Sequence, residues 1–438
     1  MHPLIETAKG TVDQAELYWN RRHTINVLYQ NYRLQHVEEN DLSSVALRVI
    51  ENGRLGSAYG VFPDAGDLLA GARTAARYGD PATFSFAPAA TYPIVRTQDD
   101  RTAAAMSQDL IDLCESVRQR IHKELPDVPL IVRAQAESAH LVVESTEGAA
   151  GELLATEFVV AFGAPFRGVG IGIFKGHRAI SPLEIDEALA DEFIEWYRWG
   201  DRTSTPSTGR LPVILTPEAA FLVLLPLLMG VSADLVAKKT SPLVDRIGQS
   251  ILSERLTVDD DALADGDPNA RPFDDEGVPC VTQNIVERGV LRDYLIDLQS
   301  GAALGRPSNG HGFKAALFGG GTETSPTPWF ANPTLRPGDE DWRDLVRGLK
   351  EGLLITNGMG FHSGNYPQGQ FAVQAVGYHI VDGEVVGRLD KTMISGDIYK
   401  DLRNVQAVSR ERRRSVVGLL SAGPAPYILV DSLQVAGK

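Results

Sequence analysis

A chain of 438 residues with 43% apolar and 23% charged side chains has room for two domains with substantial cores and an ordinary globular composition. Its net charge of −15 argues against nucleic acid, which binds basic surfaces that displace counterions. Two distant cysteines, Cys114 and Cys280, make neither a disulfide framework nor a zinc knuckle, and the N-terminus lacks the basic and apolar pattern of a signal peptide, so a cytoplasmic protein is expected.

In chain order, PLIETAKGTVDQAELYW (3–19) suits an amphipathic helix and HTINVLYQNYRLQHVEE (23–39) suits alternating strands. SVALRVIENGRLGSAYG (44–60) carries Asn52-Gly53 between apolar runs, a hairpin signal because both turn positions need positive φ. AGDLLAGARTAARYG (65–79) reads as a helix, as does TAAAMSQDLIDLCESVRQRIHKEL (102–125), with Met106, Leu110, Leu113 and Val117 on one face. Strands follow in 129–145 and 153–176, then a helix over 182–200. GDRTSTPSTGRLP (200–212) is small, polar and broken by prolines, so the domain boundary is placed inside it, between residues 205 and 206. The expected class is α+β: an N-terminal α/β domain of antiparallel sheet and helices (1–205), then a mostly β domain, barrel-like or a sandwich (206–438).

LTPEAAFLVLLPLLMGVSADLV (215–236) is the most apolar stretch of the chain. Its apolar core, Ala219 to Val231, is shorter than the ~20 residues of a membrane span and holds Pro226 and Gly230. It reads as a buried helix with Thr216 as N-cap and Pro217 at the first helical position. Beyond it, CVTQNIVERGVLRDYLID (280–297) is a hairpin turning at Gly289, and FAVQAVGYHIVDGEVVGRLD (371–390) is one turning at Asp382-Gly383. APYILVDSLQVAG (425–437) is a terminal strand, and short helices fit 341–352 and GDIYKDLRNVQAVS (396–409).

The sequence holds no HExxH, no HExxxH and no G-x-S-x-G elbow. GVGIGIFKG (168–176) and FGGGTETS (318–325) open no helix and so cradle no phosphate. DDDALADGDP (259–268) lacks calcium-loop spacing and reads as a solvated turn; Asp274, Asp275 and Glu276 read as loop carboxylates facing water. The run RERRR (410–414) reads as a solvated helix face or a salt-bridge patch. Cys280, His311 and His362 are the residues from which a metal site could be rebuilt, while His379 sits in a strand as an ordinary half-buried imidazole.

The order of the segments resembles the TldD/PmbA (modulator of DNA gyrase) metallopeptidase family. SSVALRVIENGRLGSAYG (43–60) is similar to its first-domain hairpin, RPFDDEGVPCVTQNIVERGVLRDYLIDLQSGAALGRPSNGHG (271–312) to its most recognisable block, and GYHIVDGEVVGRLDKTMISGDIYKDLRNV (377–405) to its late hairpin and helix. The resemblance implies two kinds of subunit: a TldD kind, binding zinc through HExxxH and a C-terminal cysteine, and a TldE (PmbA) kind that lacks these and pairs with the first. Here the motif position holds Leu225, Pro226, Leu227, Leu228, Met229 and Gly230, and no cysteine follows Cys280. The resemblance therefore implies a non-catalytic TldE-like subunit with no cofactor of its own, a zinc-bearing TldD-like partner, and an extended, unfolded or modified peptide as substrate. A segment near the family's peptide path departs from its pattern: FHSGNYPQGQFAVQAVGYH (361–379) keeps Ser363-Gly364 but has Asn365 for the acid and adds Pro367. His362, Asn365, Tyr366, Gln368 and Gln370 are the candidates for peptide or partner contact. The competing expectations are a stand-alone hydrolase with a rebuilt metal site and a homodimeric peptide-binding scaffold.

Overall fold

The computed structural model describes residues 2–61, 67–166, 172–317, 319–360, 364–416 and 422–437. The protein is α+β, with antiparallel sheets, helices and a strand-rich, barrel-like C-terminal region. Its first half contains α1 (Pro3–Ala8), β1 (Gln14–Gln30), β2 (Arg33–Glu51), β3 (Arg54–Val61), α2 (Leu68–Ala76), α3 (Asp100–Ala103), α4 (Ser107–Glu124), β4 (Ile131–Ser145), β5 (Ala150–Pro165), β6 (Gly172–Ala179) and α5 (Glu187–Trp199). The strands form one antiparallel sheet in the order β3-β2-β1-β4-β5-β6. Asn52 and Gly53 turn β2 into β3 at φ of 52° and 70°, as the dipeptide requires.

The odd-numbered residues of β1 meet helices: Ala15 and Leu17 pack with α1 and α2, and Ile25, Val27 and Tyr29 with α4. Glu16 and Tyr18 point the other way, toward the second half. Burial on both faces explains one correction. The helix expected over 3–19 ends at Ala8, and Gln14–Trp19 is strand, because a strand covered on both sides shows no clean alternation. A second concerns α4, which starts at Ser107: Met106 is its exposed N-cap, and the buried stripe is Leu110, Leu113, Cys114, Val117 and Ile121.

The second half holds β7 (Thr203–Ser204), β8 (Gly209–Leu215), α6 (Phe221–Val231), α7 (Ala233–Ala237), β9 (Val258–Asp261), β10 (Thr282–Glu287), β11 (Val290–Leu291), α8 (Leu298–Leu304), β12 (Gly312–Phe313), β13 (Thr327–Pro328), β14 (Pro333–Leu335), α9 (Trp342–Arg347), β15 (Glu351–Met359), β16 (Gln370–Val381), β17 (Glu384–Leu389), β18 (Met393–Asp397), α10 (Ile398–Asp401), β19 (Val405–Arg413) and β20 (Ala425–Ala436). Strand β15 pairs with β8, β8 with β20, β20 with β18, β18 with β16, and β16 again with β15, which closes a five-strand ring. Helix α6 shares one core with residues of all five ring strands, among them Leu215, Ile355, Val373, Ile394 and Leu433. No helix among the described residues is long and apolar enough to cross a membrane.

Two further expectations are corrected, and one of two alternatives is decided. Thr216 and Pro217 start a separate 3-10 turn, Pro217–Ala219, with no cap bond from the Thr216 hydroxyl, and α6 begins only at Phe221. Val405–Ser409, expected as helix, belongs to β19, where Val405 and Val408 pack into the core beneath β20. The arginine run lies on and just after β19 as a salt-bridge patch: Arg410 with Asp341, Arg413 with Glu192, Arg414 with Asp267. Of the first glycine-rich stretch, residues 168–171 lie outside the described residues and Gly172–Gly176 is part of β6; in the second, Phe318 lies outside them and Gly319–Gly321 have positive φ. The halves are joined by Lys175 of β6, buried 2.7 Å from both Glu192 and Glu218 with its ammonium 3.6 Å above the Trp196 ring.

Candidate functional site

The helix that the resemblance aligns with a zinc motif is built as core. All of α6 except Met229 is buried, and Leu225, Leu227 and Leu228 are at most 1% exposed. Pro226 has no N–H to donate within the helix, and Gly230 is fixed by a neighbour: a Cβ there would fall 1.9 Å from the Tyr399 hydroxyl. Zinc needs imidazole, thiolate or carboxylate donors, and hydrocarbon side chains locked in a core present none. The residues at this position do not fit the metal.

Beside this end of α6 lies a pocket of about 390 Å³. Asn365, Gln368 and Gln370 line it together with Arg246, Asp397, Tyr399, Lys400 and Arg403, and Pro242, Leu243 and Ile251 add apolar wall. The Tyr399 ring forms a fixed side of the pocket, wedged against Gly230 and against Gly369, where φ is +83° and a Cβ would meet the ring at 2.5 Å. Burial holds the Tyr399 phenol above its ordinary pKa. Gln368 Nε2 donates to the Thr240 carbonyl at 2.8 Å. Asp397 caps α10 through the Tyr399 N–H and pairs with Lys400 at 3.1 Å. Tyr366 is absent from this lining: it is buried and its hydroxyl lacks a partner among the described residues. His362 lies outside the described residues. Arg246, Lys400 and Arg403 were not singled out from sequence, and nothing in their spacing marks them; they meet only because the 242–251 loop folds back on α10.

The three acids expected to face water are buried instead. Asp274, Asp275 and Glu276 are 0%, 4% and 1% exposed. Their partners come largely from distant chain. Arg48 of β2 donates to both oxygens of Glu16 at 2.8 and 2.7 Å and to Glu276 at 2.9 Å, and Glu276 also accepts the Leu298 N–H at 2.8 Å. Asp274 accepts N–H groups of Gly312, Val278 and Glu276, and Asp275 takes Arg271 and the Lys314 N–H. Burial, then the charge of Glu276, pushes the Asp274 carboxyl well above its ordinary range and that of Asp297 up to about 6. Burial, then the nearby Arg48 charge, brings the Lys314 ammonium down to about 8. This network fastens the loop to the first sheet; every carboxylate in it is engaged by chain groups.

The acid-rich 259–268 segment is likewise not a solvated turn where it starts. Asp260 is fully buried on β9, accepting from Ala331, Asn332 and His311. His311 and Cys280 do lie in one neighbourhood, but each is occupied. His311 faces Asn309 Oδ1 at 2.9 Å and Asp260 Oδ2 at 3.0 Å, and Asn309 is oriented by bonds to Ile296 and Tyr294, so each ring nitrogen already has a hydrogen-bond partner within the chain. Cys280 donates to the Gly310 carbonyl at 3.3 Å, and burial followed by the Asp274 charge keeps it a thiol. Among the described residues no group of three or more His, Cys, Asp and Glu is arranged to hold a metal ion. His379 is buried on β16, its Nδ1 2.8 Å from the Ser204 hydroxyl and its Nε2 3.4 Å from Glu351 without hydrogen-bond geometry.

A closed ring around a buried helix follows an antiparallel sheet with helices, and comparison with known proteins places the chain. Residues 208–437 match the family model of the PmbA/TldA metallopeptidase C-terminal domain, and residues 15–77 that of PmbA/TldA metallopeptidase domain 1. The chain belongs to the PmbA/TldD metallopeptidase family. It is 26% identical to a metalloprotease of Methanothermobacter thermautotrophicus over 97% of this chain and 96% of that one. It is 24% identical to metalloprotease PmbA of Escherichia coli O157:H7, over 99% and 94%. A zinc metalloprotease TldD homolog of Saccharolobus solfataricus is 28% identical over 53% of each chain. In fold it is similar to TldE from Thermococcus kodakarensis, with a TM-score of 0.88 at 20% identity and 99% coverage of both chains. A protein from Thermotoga maritima described as a modulator of a DNA gyrase gives 0.84 at 22% identity, covering 99% and 98%.

Proposed function

We propose that this chain is the non-catalytic, TldE-like subunit of a heteromeric TldD/TldE-type zinc metallopeptidase that acts on extended, unfolded or modified peptides in the cytoplasm. The observation that carries this reading is helix α6: where the family's zinc motif would lie, Leu225, Leu227 and Leu228 are core and Gly230 is closed off by Tyr399. The partner supplies HExxxH and its zinc, and this chain supplies enclosure and peptide-contacting surface through Asn365, Gln368 and Gln370. Occupation of both His311 nitrogens and of the Cys280 thiol weighs against a stand-alone enzyme.

The test is to purify the chain alone and mixed with an HExxxH-bearing subunit, and to measure bound zinc, peptide cleavage and complex mass on the same samples. The expected result is zinc and cleavage only in the mixture, with both chains eluting together. Stoichiometric zinc and cleavage by this chain alone overturns the reading. Failure of the two chains to associate returns it to a homodimeric scaffold.

A further inference from the structure

We propose that the pocket beside α6 is a carboxylate-binding site for the end or an acidic side chain of a peptide. It rests on the functional reading above only in taking a peptide as the ligand. The first observation is charge. The chain carries a net −15, yet the charged residues lining this concavity are Arg246, Lys400 and Arg403 against one acid, Asp397. That acid is already engaged by the Tyr399 N–H and by Lys400.

The second observation is unmet donor capacity. Arg246 Nε is buried with no hydrogen-bond partner among the described residues. A buried donor left open is destabilising, and an acceptor that reaches it relieves that. Arg403 is held in place by its own bonds, Nε to the Tyr399 carbonyl at 2.9 Å and Nη2 to the Ser250 carbonyl at 3.1 Å, so its guanidinium is oriented before any ligand arrives. Guanidinium groups present paired N–H donors that match a carboxylate.

The third observation selects a peptide over a bare anion. Asn365 and Gln370 offer amide donors and acceptors of the kind that pair with a peptide backbone. Pro242, Leu243 and Ile251 give an apolar wall for a neighbouring side chain. At about 390 Å³ the pocket lies within the usual range for small-ligand sites, roughly 300–1,000 Å³.

The experiment titrates the full chain, without metal or partner, by calorimetry with three acetylated pentapeptides of otherwise identical sequence. One ends in a free carboxylate, one in an amide, and one in an amide with an internal glutamate. The carboxylate peptides are expected to bind about tenfold tighter than the neutral amide, with affinity falling as salt rises. Preference for the free end assigns the α-carboxylate as the source; preference for the glutamate peptide assigns the side chain. Arg246→Gln should lose about tenfold in affinity for the carboxylate peptide alone. If that variant is poorly folded, the exposed Lys400→Gln and Arg403→Gln carry the same comparison. Equal binding of acid and amide, no binding of any peptide, or wild-type affinity in folded Arg246→Gln and Arg403→Gln overturns the proposal. Association with a zinc-bearing subunit is read separately by co-elution, so either idea can fail while the other stands.

Discussion

Helix Phe221–Val231 and loop Arg271–Cys280 are both buried, and by opposite means. The helix is apolar along its whole length and needs only neighbours of matching shape. The loop carries Asp274, Asp275 and Glu276, and its burial depends on Arg48, Arg271, Lys314 and a set of aimed N–H groups. The difference lies in how each tolerates loss. A core that loses methyl groups keeps its remaining contacts, whereas a carboxylate that loses its cation keeps a desolvation cost with nothing to offset it.

Removing the hub of the charged region should therefore do the most damage. Arg48→Ala leaves Glu16 and Glu276 buried without the cation that hydrogen-bonds both and is expected to cost about 4 kcal/mol, read as a lower midpoint in urea unfolding. Leu225→Ala, fully buried in α6, should cost about 3 kcal/mol by lost transfer and cavity terms. If the leucine variant proves the more damaging, the contrast between the regions fails.

How much of this is visible in the sequence follows the same division. Apolar burial is local information: the run from Phe221 to Val231 announces a core helix, and Asn52-Gly53 and Asp382-Gly383 announce their turns, because each needs only adjacent residues. The strand at Gln14–Trp19 was hidden because both its faces are covered. The burial of Glu276 was hidden because its cation lies 228 residues upstream, and a charged triplet whose partner is that distant looks like any solvated loop. The candidate pocket was half visible. The family resemblance pointed to Asn365, Gln368 and Gln370, while Arg246, Lys400 and Arg403 join them only through the path of the chain.

Asp297 sharpens the comparison through pH. Burial and Glu276 push its carboxyl up to about 6, from an ordinary value near 4 in the unfolded chain. The folded state then binds a proton between about pH 4 and 6 that the unfolded state does not, so this group's contribution falls as pH rises through that window and the penalty is complete above it. Asp297→Asn keeps an oxygen to accept the Ser300 N–H at the start of α8 and removes the charge. The expected outcome is a gain on the order of 2 kcal/mol at pH 7 that fades toward pH 4. A gain of the same size at both pH values would assign it to packing. In the apolar region, Gly230→Ala sets a methyl against the Tyr399 hydroxyl and should cost about 1–2 kcal/mol after the helix-propensity gain of alanine. Tyr399→Phe in the same chain should recover most of that loss, since it deletes the atom that clashes; no recovery would place the strain elsewhere.

The smallest effect isolates the environment from the bond. Arg21 and Asp41 lie on the same β1–β2 pair of strands as Arg48 and Glu16 and make the same two-pronged contact, Nε and Nη2 to the two carboxylate oxygens at 2.9 and 2.6 Å. The surroundings differ, and Arg48 alone makes a further bond, to Glu276. The Arg21 and Asp41 side chains are 57% and 46% exposed, against 6% and 1% for Arg48 and Glu16. In water each charge is solvated whether or not its partner is present, so removing one leaves nothing stranded. Arg21→Ala should leave the urea midpoint where it is, at low and at high salt alike. A loss comparable to that of Arg48→Ala would mean that the fork geometry, and not burial, sets what an ion pair is worth on this sheet.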